Sequence, residues 1–492
     1  MLSIVIVNNP KDWDFNIENV EVVPAKTYVT DSEFSDIRNA RIYNLCRSYR
    51  YQSIGYYVSL LAEARGHKVF PSVSTIQDLK SLSVIRIMSD ELDEIIQRSL
   101  AKLKSKNFDL NIYFGKSSAK QHENLAKQLY NIFQAPLLQA NFVFNKKWIL
   151  QNINPISLNE IPEHDKRHAA EFGKEYFAKK RFRSLKKSSS IYDLAILVNP
   201  NDKCPPSGKK AIKSFISAAE DVGLGAELIT KDDFSKIPEF DALFIRDTTA
   251  VNHYTYRFAQ RAQAEGLVVI DDPESIIKCT NKVYLAELLT KAKVPRPKTL
   301  IIHKDNQDII PSILGFPCVL KQPDSSFSQG VAKANNKEEL KTKLDAFLDK
   351  SDLIIAQEYM PTDFDWRIGI LDRTPLFACK YYMSKGHWQI VNWNSAKKGG
   401  WDYGATEAFS INEVPDKVLK TALRAANLVG AGFYGVDIKE KGQRVVVVEI
   451  NDNPDVEAGS EDGVLKDKLY FMVMKSILNR IQAKKDKLVN NQ

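Results

Sequence analysis

The stretch that most constrains this chain is Arg444-Val-Val-Val-Val-Glu-Ile-Asn451, four valines followed by alternating polar and apolar residues. A valine-rich run of that length fits a strand. Gly435-Val-Asp-Ile-Lys439 lies just upstream and Gly442 stands between the two runs, which predicts adjacent antiparallel strands closed by a turn near 441–443. Side chains alternate across a strand, so Glu449 and Asn451 share one face. With the hairpin closed there, Asp437 comes opposite them, within the ~5 Å of cross-strand neighbours. Acids on the inner face of so apolar a strand demand a partner. Three converging oxygen donors are what a hard cation such as magnesium takes, with its other positions left for water and phosphate oxygens. The alternative, two solvent-facing acids on an edge hairpin, fits the apolar setting less well.

The rest of the chain supplies a scaffold around that hairpin. Its 492 residues exceed what one core serves, and at the usual ~100–200 residues per domain they predict about three compact units. Residues 1–158 read as an α/β domain: a buried strand at 3–7, an amphipathic helix over 53–65 ended by Gly66, strands at 67–70 and 108–114, a helix over 119–132, and a hairpin over 137–156 turning at Asn145-Lys146. Residues 159–190 read as a basic helical linker. Residues 191–275 alternate strands at 193–198, 227–229, 242–245 and 267–270 with helices over 209–222 and 254–265, the pattern of a parallel sheet covered by helices. From 276 to 492 the strands look antiparallel, in an α+β arrangement. No internal repeat or low-complexity tract is evident.

Composition excludes several classes. Hydrophobic residues at 44% and charged residues at 26% are ordinary for a globular chain and argue against disorder, collagen or coiled coil. No run approaches the ~18 apolar residues of a membrane span, and the opening residues lack a basic leader and cleavage site. Five cysteines, Cys46, Cys204, Cys279, Cys318 and Cys379, are scattered without a Cys-x-x-Cys pair, which fits reduced thiols in cytoplasm. His164 and His168 stand four apart, but Asp-Lys-Arg lies between them and no third ligand accompanies them, so they read as helix surface. Of the net charge of +8, a surplus of seven falls between Lys166 and Lys187, where nine Lys/Arg face Glu171 and Glu175. Such a run is most simply a solvated face; docking on RNA or another polyanion is the alternative, and it is not favoured.

Read in order, six motifs bear a resemblance: Asn281-Lys282 opening a helix, Val319-Leu-Lys321 in a strand before a serine-containing loop, Gln357-Glu358-Tyr359, Asp365-Trp-Arg367, Asp437, and Glu449-Ile-Asn451. Together they resemble RimK-like and glutathione-synthetase-like ATP-grasp carboxylate-amine ligases, over about 191 to the C-terminus. The resemblance implies a multidomain α/β and α+β fold. Residues 1–158 would be the extra N-terminal domain of a RimK-like subset, 191–275 a Rossmann-like pre-ATP-grasp domain, and 276–492 a two-lobed ATP-grasp domain. It further implies ATP as the nucleotide and Mg2+, with Mn2+ able to substitute, held by Asp437, Glu449 and Asn451. Lys282 and Lys321 would contact phosphates, as would the loop serines Ser325 and Ser326. Gln357, Glu358 and Tyr359 would border adenine, Asp365 the ribose or substrate side, and Arg367 the transferring phosphoryl group. The implied partners are an amino acid and a peptide or protein C-terminus.

Two stretches depart from the family. The phosphate-covering loop, Asp324-Ser-Ser-Phe-Ser-Gln-Gly330, has a single glycine, and Phe327 makes it less pliable than a glycine-rich loop unless the ring caps the nucleotide. Residues 389–398 match the family's basic nucleotide-side loop only loosely, which leaves Lys380, Lys397 and Lys398 without a firm role. In the N-terminal domain, Arg47-Ser-Tyr-Arg-Tyr-Gln-Ser53 precedes a helix and could hold an anion; packing of its tyrosines on that helix is the plainer reading. A non-catalytic nucleotide-binding regulator and an RNA- or ribosome-associated module using the basic stretch are the rival functions.

Overall fold

A computed structural model describes residues 2–15, 17, 20–37, 40–178, 192–202, 204–324, 330–392 and 402–490. The basic residues from Lys179 to Lys187, the loop residues Ser325, Ser326, Phe327 and Ser328, and Lys397 and Lys398 lie outside the described residues. The chain divides into two compact units, Met1–Ile191 with Phe234–Glu239, and Tyr192–Asp233 with Phe240–Gln492.

The first unit opens with β1 (Leu2–Val7), β2 (Glu21–Pro24), α1 (Ala25–Thr30), α2 (Glu33–Asp36), β3 (Ala40–Asn44), α3 (Ile54–Ala64), β4 (Lys68–Phe70) and α4 (Val73–Asp78). The four strands are parallel in the order β2-β1-β3-β4. Ile4 to Val7 are fully buried, as a strand covered on both faces requires. Ser53 caps α3 by accepting from Tyr56 N at 3.4 Å, and Gly66 follows the helix with φ 71°. Helices α5 (Leu82–Glu91) and α6 (Asp93–Leu100) lead to β5 (Asn107–Tyr113), α7 (Glu123–Ile132), β6 (Leu137–Asn145) and β7 (Lys147–Pro155), with β5-β6-β7 an antiparallel sheet. The last helix, α8 (Lys166–Ala178), occupies the start of the stretch read as a linker. Its Ala169 and Phe177 enter a core with Val5, Val7, Tyr43 and Phe70. The charges there masked an apolar repeat of four, Ala169, Gly173 and Phe177, that commits the helix to the unit.

The second unit begins with β8 (Tyr192–Val198), α9 (Lys209–Asp221), β9 (Leu224–Ile229), β10 (Ala242–Arg246), α10 (Tyr254–Ala264) and β11 (Val268–Ile270), a parallel sheet in the order β11-β10-β8-β9. Helices α11 (Pro273–Thr280) and α12 (Lys282–Lys291) follow. Strands β12 (Thr299–Ile302), β13 (Cys318–Lys321), β14 (Val331–Ala334) and β15 (Ile354–Glu358) form an antiparallel sheet, β12-β15-β13-β14, backed by α13 (Ile310–Leu314) and α14 (Lys337–Leu348) through Ile302, Leu320, Leu340, Leu344 and Ile354. Strands β16 (Phe364–Leu371) and β17 (Thr374–Tyr382), the short pair β18 (Val391–Asn392) and β19 (Asp402–Tyr403), β20 (Thr406–Phe409), α15 (Asp416–Val429), β21 (Phe433–Lys441) and β22 (Arg444–Asp452) complete the far lobe. Its sheet runs β20-β17-β16-β21-β22. Helix α16 (Asp467–Asn490) returns to the parallel sheet, where Leu469, Tyr470, Val473 and Ile477 share a core with Leu194, Ile196 and Phe244. Among the described residues no helix is long and apolar enough to cross a membrane.

Candidate active site

In the second unit the two antiparallel sheets and the loop after β10 border one cavity of about 930 Å³. Lys282, Lys321, Gln357, Glu358, Tyr359, Asp365, Arg367, Asp437, Glu449 and Asn451 all line it. The hairpin has the expected register: Asp437 pairs directly with Glu449, and Asn451 with Gly435. A bulge between Asp437 and Ile438 leaves Val448 as the extra residue. That extra residue turns Glu449 onto the same side as Asp437, a use of bulges common beside functional sites. Asn451 Nδ2 donates to Asp437 Oδ2 at 3.3 Å.

Cations meet these carboxylates. Arg367, opposite Asp437 across β16 and β21, forks onto both oxygens of that carboxylate, with Nη2 to Oδ2 at 3.0 Å. Lys282 Nζ lies 2.9 Å from Glu449 Oε1; its helix is aimed by Asn281, whose side chain accepts from Val283 N at 3.1 Å and Tyr284 N at 3.0 Å. Lys321 ends the buried strand β13, and burial pulls its ammonium down to about 8 despite nearby Glu449. Burial pushes the Asp437 carboxyl up while Arg367 pulls it the other way. For Glu449 the burial effect is outweighed by Lys282 and Lys321, which hold it below the ordinary glutamate value. Two carboxylates and an amide on adjacent strands, facing a cavity, are the donor chemistry a magnesium ion takes, so the residues present fit that ion.

At the other end of the cavity the side chains of Gln357 and Glu358 are engaged within the protein. Gln357 Nε2 donates to Thr299 Oγ1 at 3.0 Å; Glu358 accepts from Lys298 N at 2.9 Å and pairs with Arg444. The backbone of these two residues is engaged as well: Gln357 pairs with Thr299 and Val319, and Glu358 N donates to Lys298 O at 2.9 Å. Tyr359 meets Trp388 edge to face, centroids 6.0 Å apart, with Lys333 Nζ 4.8 Å from the Tyr359 ring. Asp365 is paired with Lys439 at 2.6 Å and takes Thr362 Oγ1 at 3.0 Å.

Sequence reasoning missed the loop after β22 and the residue that holds it. Arg246, at the end of β10, is 1% exposed. Its guanidinium donates to Asn453 Oδ1 at 2.6 Å, Pro206 O at 2.6 Å, Pro454 O at 2.8 Å, and Ser207 Oγ at 3.1 and 2.8 Å. Asn453 (φ 48°) also donates its backbone N–H to Asp271 Oδ2 at 3.0 Å and its amide to Asp247 O at 2.7 Å. The loop thereby sets Asp455 3.9 Å from Arg367 Nη1. Trp388, Asp455, Glu457 and Glu461 also line the cavity. The available signal was an arginine ending the otherwise apolar strand Ala-Leu-Phe-Ile-Arg246, the same sign that singled out Lys321.

A cavity of about 930 Å³ between two antiparallel sheets, with lysines from one side and oxygen donors on a hairpin from the other, is the arrangement of an ATP-grasp protein. Residues 25–172 match the RimK-like ATPgrasp N-terminal domain and residues 279–466 the RimK-like ATP-grasp domain. The chain is a RimK-like ATP-grasp ligase carrying the N-terminal domain of that family. It is 25% identical over 236 residues to a probable alpha-L-glutamate ligase of Vibrio vulnificus (strain YJ016), covering 47% of this chain and 74% of the relative. It is 26% identical over 264 residues to the alpha-aminoadipate–LysW ligase LysX of Saccharolobus solfataricus, covering 49% and 88%. Among solved structures, the RimK domain ATP-grasp protein of Sphaerobacter thermophilus DSM 20745 aligns at a TM-score of 0.44 and 17% identity, over 58% of this chain and 99% of that one.

Proposed function

We propose that the second unit joins a carboxylate to an amine at the expense of ATP, through an acyl phosphate. The observation that carries this is the convergence of Lys282, Lys321, Arg367, Asp437, Glu449 and Asn451 on one cavity. Lys321 and Lys282 hold the triphosphate, and Tyr359 and Trp388 hold the base. A substrate carboxylate oxygen attacks the γ-phosphorus and ADP leaves; the amine then adds to the acyl carbon, the acyl C–O bond breaks with its electron pair going to inorganic phosphate, and the amine's proton is lost to the phosphate or solvent. Arg367 stabilises the oxygens that gain charge at both steps, and no protein nucleophile is required. Asp437, Glu449 and Asn451 would hold Mg2+, or Mn2+ in its place, which when bound draws charge from the phosphate oxygens.

For substrates we propose an amino acid such as glutamate added to a peptide or protein C-terminus, in cytoplasm. The names of the relatives support the first part and the five unpaired thiols the second. The test is ADP release with amino-acid and dipeptide pairs, with products weighed by mass spectrometry. Glu449→Gln is expected to lower ATP-dependent turnover at least about 100-fold; turnover at the parent rate would sink the assignment.

A further inference from the structure

Each unit, taken by itself, follows one chain plan. Both open with four parallel strands in the spatial order second-first-third-fourth. The first strand of each runs into Asn-Pro-x-Asp: Asn9-Pro10-Lys11-Asp12 and Asn199-Pro200-Asn201-Asp202. Asn9 Oδ1 accepts from Lys11 N at 3.0 Å, and Asn199 Oδ1 accepts from Asn201 N at 3.1 Å. Both aspartates are then held from the loop after the third strand, Asp12 by Arg47 Nη2 at 2.6 Å and Asp202 by Thr248 Oγ1 at 3.1 Å. The next helices, α3 and α10, are followed by Gly66 and Gly266 at φ 71° and 77°.

The plan continues into the antiparallel sheets. Strands β5-β6-β7 repeat the order and sense of β16-β21-β22, with α7 standing where α15 stands. After β5, Phe114 and Gly115 have positive φ and Tyr113 bridges Lys116; after β16, Asp372 and Arg373 have positive φ and Leu371 pairs with Thr374. The hairpin tips, Lys146 and Gly442, share φ near 60° (62° and 57°). Most telling, the β6–β7 ladder slips between Asn141 and Phe142, and the β21–β22 ladder between Asp437 and Ile438. The closing helices α8 and α16 both pack on their own unit's parallel sheet.

Setting slip on slip gives a residue-by-residue match. Asn141 falls on Asp437, Asn152 on Glu449, Asn154 on Asn451, and Asp109, which pairs with Asn141, on Arg367. We infer that the N-terminal unit is a second copy of the ligase scaffold, disarmed for cation and nucleotide binding and two substitutions short of a divalent-cation site. In chain order α5 and α6 stand where the second unit has its β12–β15 sheet, so among the described residues the first unit has no counterpart of that sheet. The cation face has become an amide face: Asn141 Nδ2 donates to Asp109 Oδ1 at 2.6 Å and Asn154 Nδ2 to Asn152 Oδ1 at 3.4 Å. Amides supply neutral carbonyl oxygens and cannot balance a divalent charge. Among the described residues the proposed nucleotide site therefore belongs to the second unit alone.

The inference rests on reading Asp437, Glu449 and Asn451 as the cation ligands, and its test is kept separate from that reading. In the full chain, bound Mn2+ is counted from the electron paramagnetic resonance signal of the free ion, for the parent and for Asn141→Asp/Asn152→Glu. A gain of one ion per chain is expected, in the native background and equally in a Glu449→Gln background. A control with the same added charge out of register, Gln139→Asp/Gln151→Glu, should gain none. A folded Asn141→Asp/Asn152→Glu variant without the extra ion, or a control that gains one as well, overturns the inference. Should the variant fail to fold, hydrogen exchange of the parent with and without MgATP decides: protection confined to the second unit supports the inference, and protection of 107–155 overturns it.

Discussion

Replacing Arg246 with methionine should loosen the loop that carries Asp455 without touching any residue at the phosphates. The change removes the donor of five hydrogen bonds. Asn453 Oδ1, Pro206 O and Pro454 O are left buried without it, at about 1–3 kcal/mol each, or about 3–9 kcal/mol gross. Burial already pulls the guanidinium down to about 10, so part of that loss is returned when the buried charge is removed. The net cost should fall at about 2–4 kcal/mol. Because Asp455 sits beside Arg367, a shift of the loop by about 1 Å should lower kcat by about 100-fold. Urea unfolding followed by hydrogen exchange in β10 and β22 reads the first quantity, and ADP release the second. Arg246→Lys, which keeps the charge but not the planar fork, should fall between parent and methionine variant. A methionine variant with the parent's unfolding midpoint and kcat would refute the reasoning.

Two further outcomes concern the nucleotide. Lys321, pulled down to about 8 by burial, binds a proton less readily folded than unfolded; stability of the free protein should rise as pH climbs from about 8 toward the ordinary lysine range. ATP affinity should move the opposite way over the same window, since phosphates favour the charged ammonium, and Lys321→Met should flatten both profiles in unfolding and calorimetric titrations. At the aromatic corner, Tyr359→Ala should raise the KM for ATP about tenfold while changing kcat much less; a fall in kcat at constant KM would mean the ring serves chemistry instead.

The hairpin was legible because a two-residue period fixes which side chains share a face, and the apolar run Val445 to Val448 said that acids following it need a partner. Lys321 was legible for a related reason, a charge at the end of an apolar strand. The roles of Gln357 and Glu358 were not, because their partners Thr299, Lys298 and Arg444 come from distant parts of the chain. Arg246 was equally hidden, its acceptors lying 39 to 208 residues away. The repeat escaped notice for a different cause. Its register lies in turns, strand order and a ladder slip, and only Asn-Pro-x-Asp and a few glycines survive as letters. Helix α8 was misjudged because charge is conspicuous, whereas an alanine, a glycine and a phenylalanine four apart are not.

The pairs Lys282–Glu449 and Arg367–Asp437 make the site its own counterion. A divalent cation arriving alone would leave two protein cations buried and unanswered, and a triphosphate arriving alone would do the same to two carboxylates. Arriving together, they satisfy all four groups. On the proposed assignment the site would act as a logical conjunction: each guest would tighten the other, and by reciprocity by the same factor in both directions.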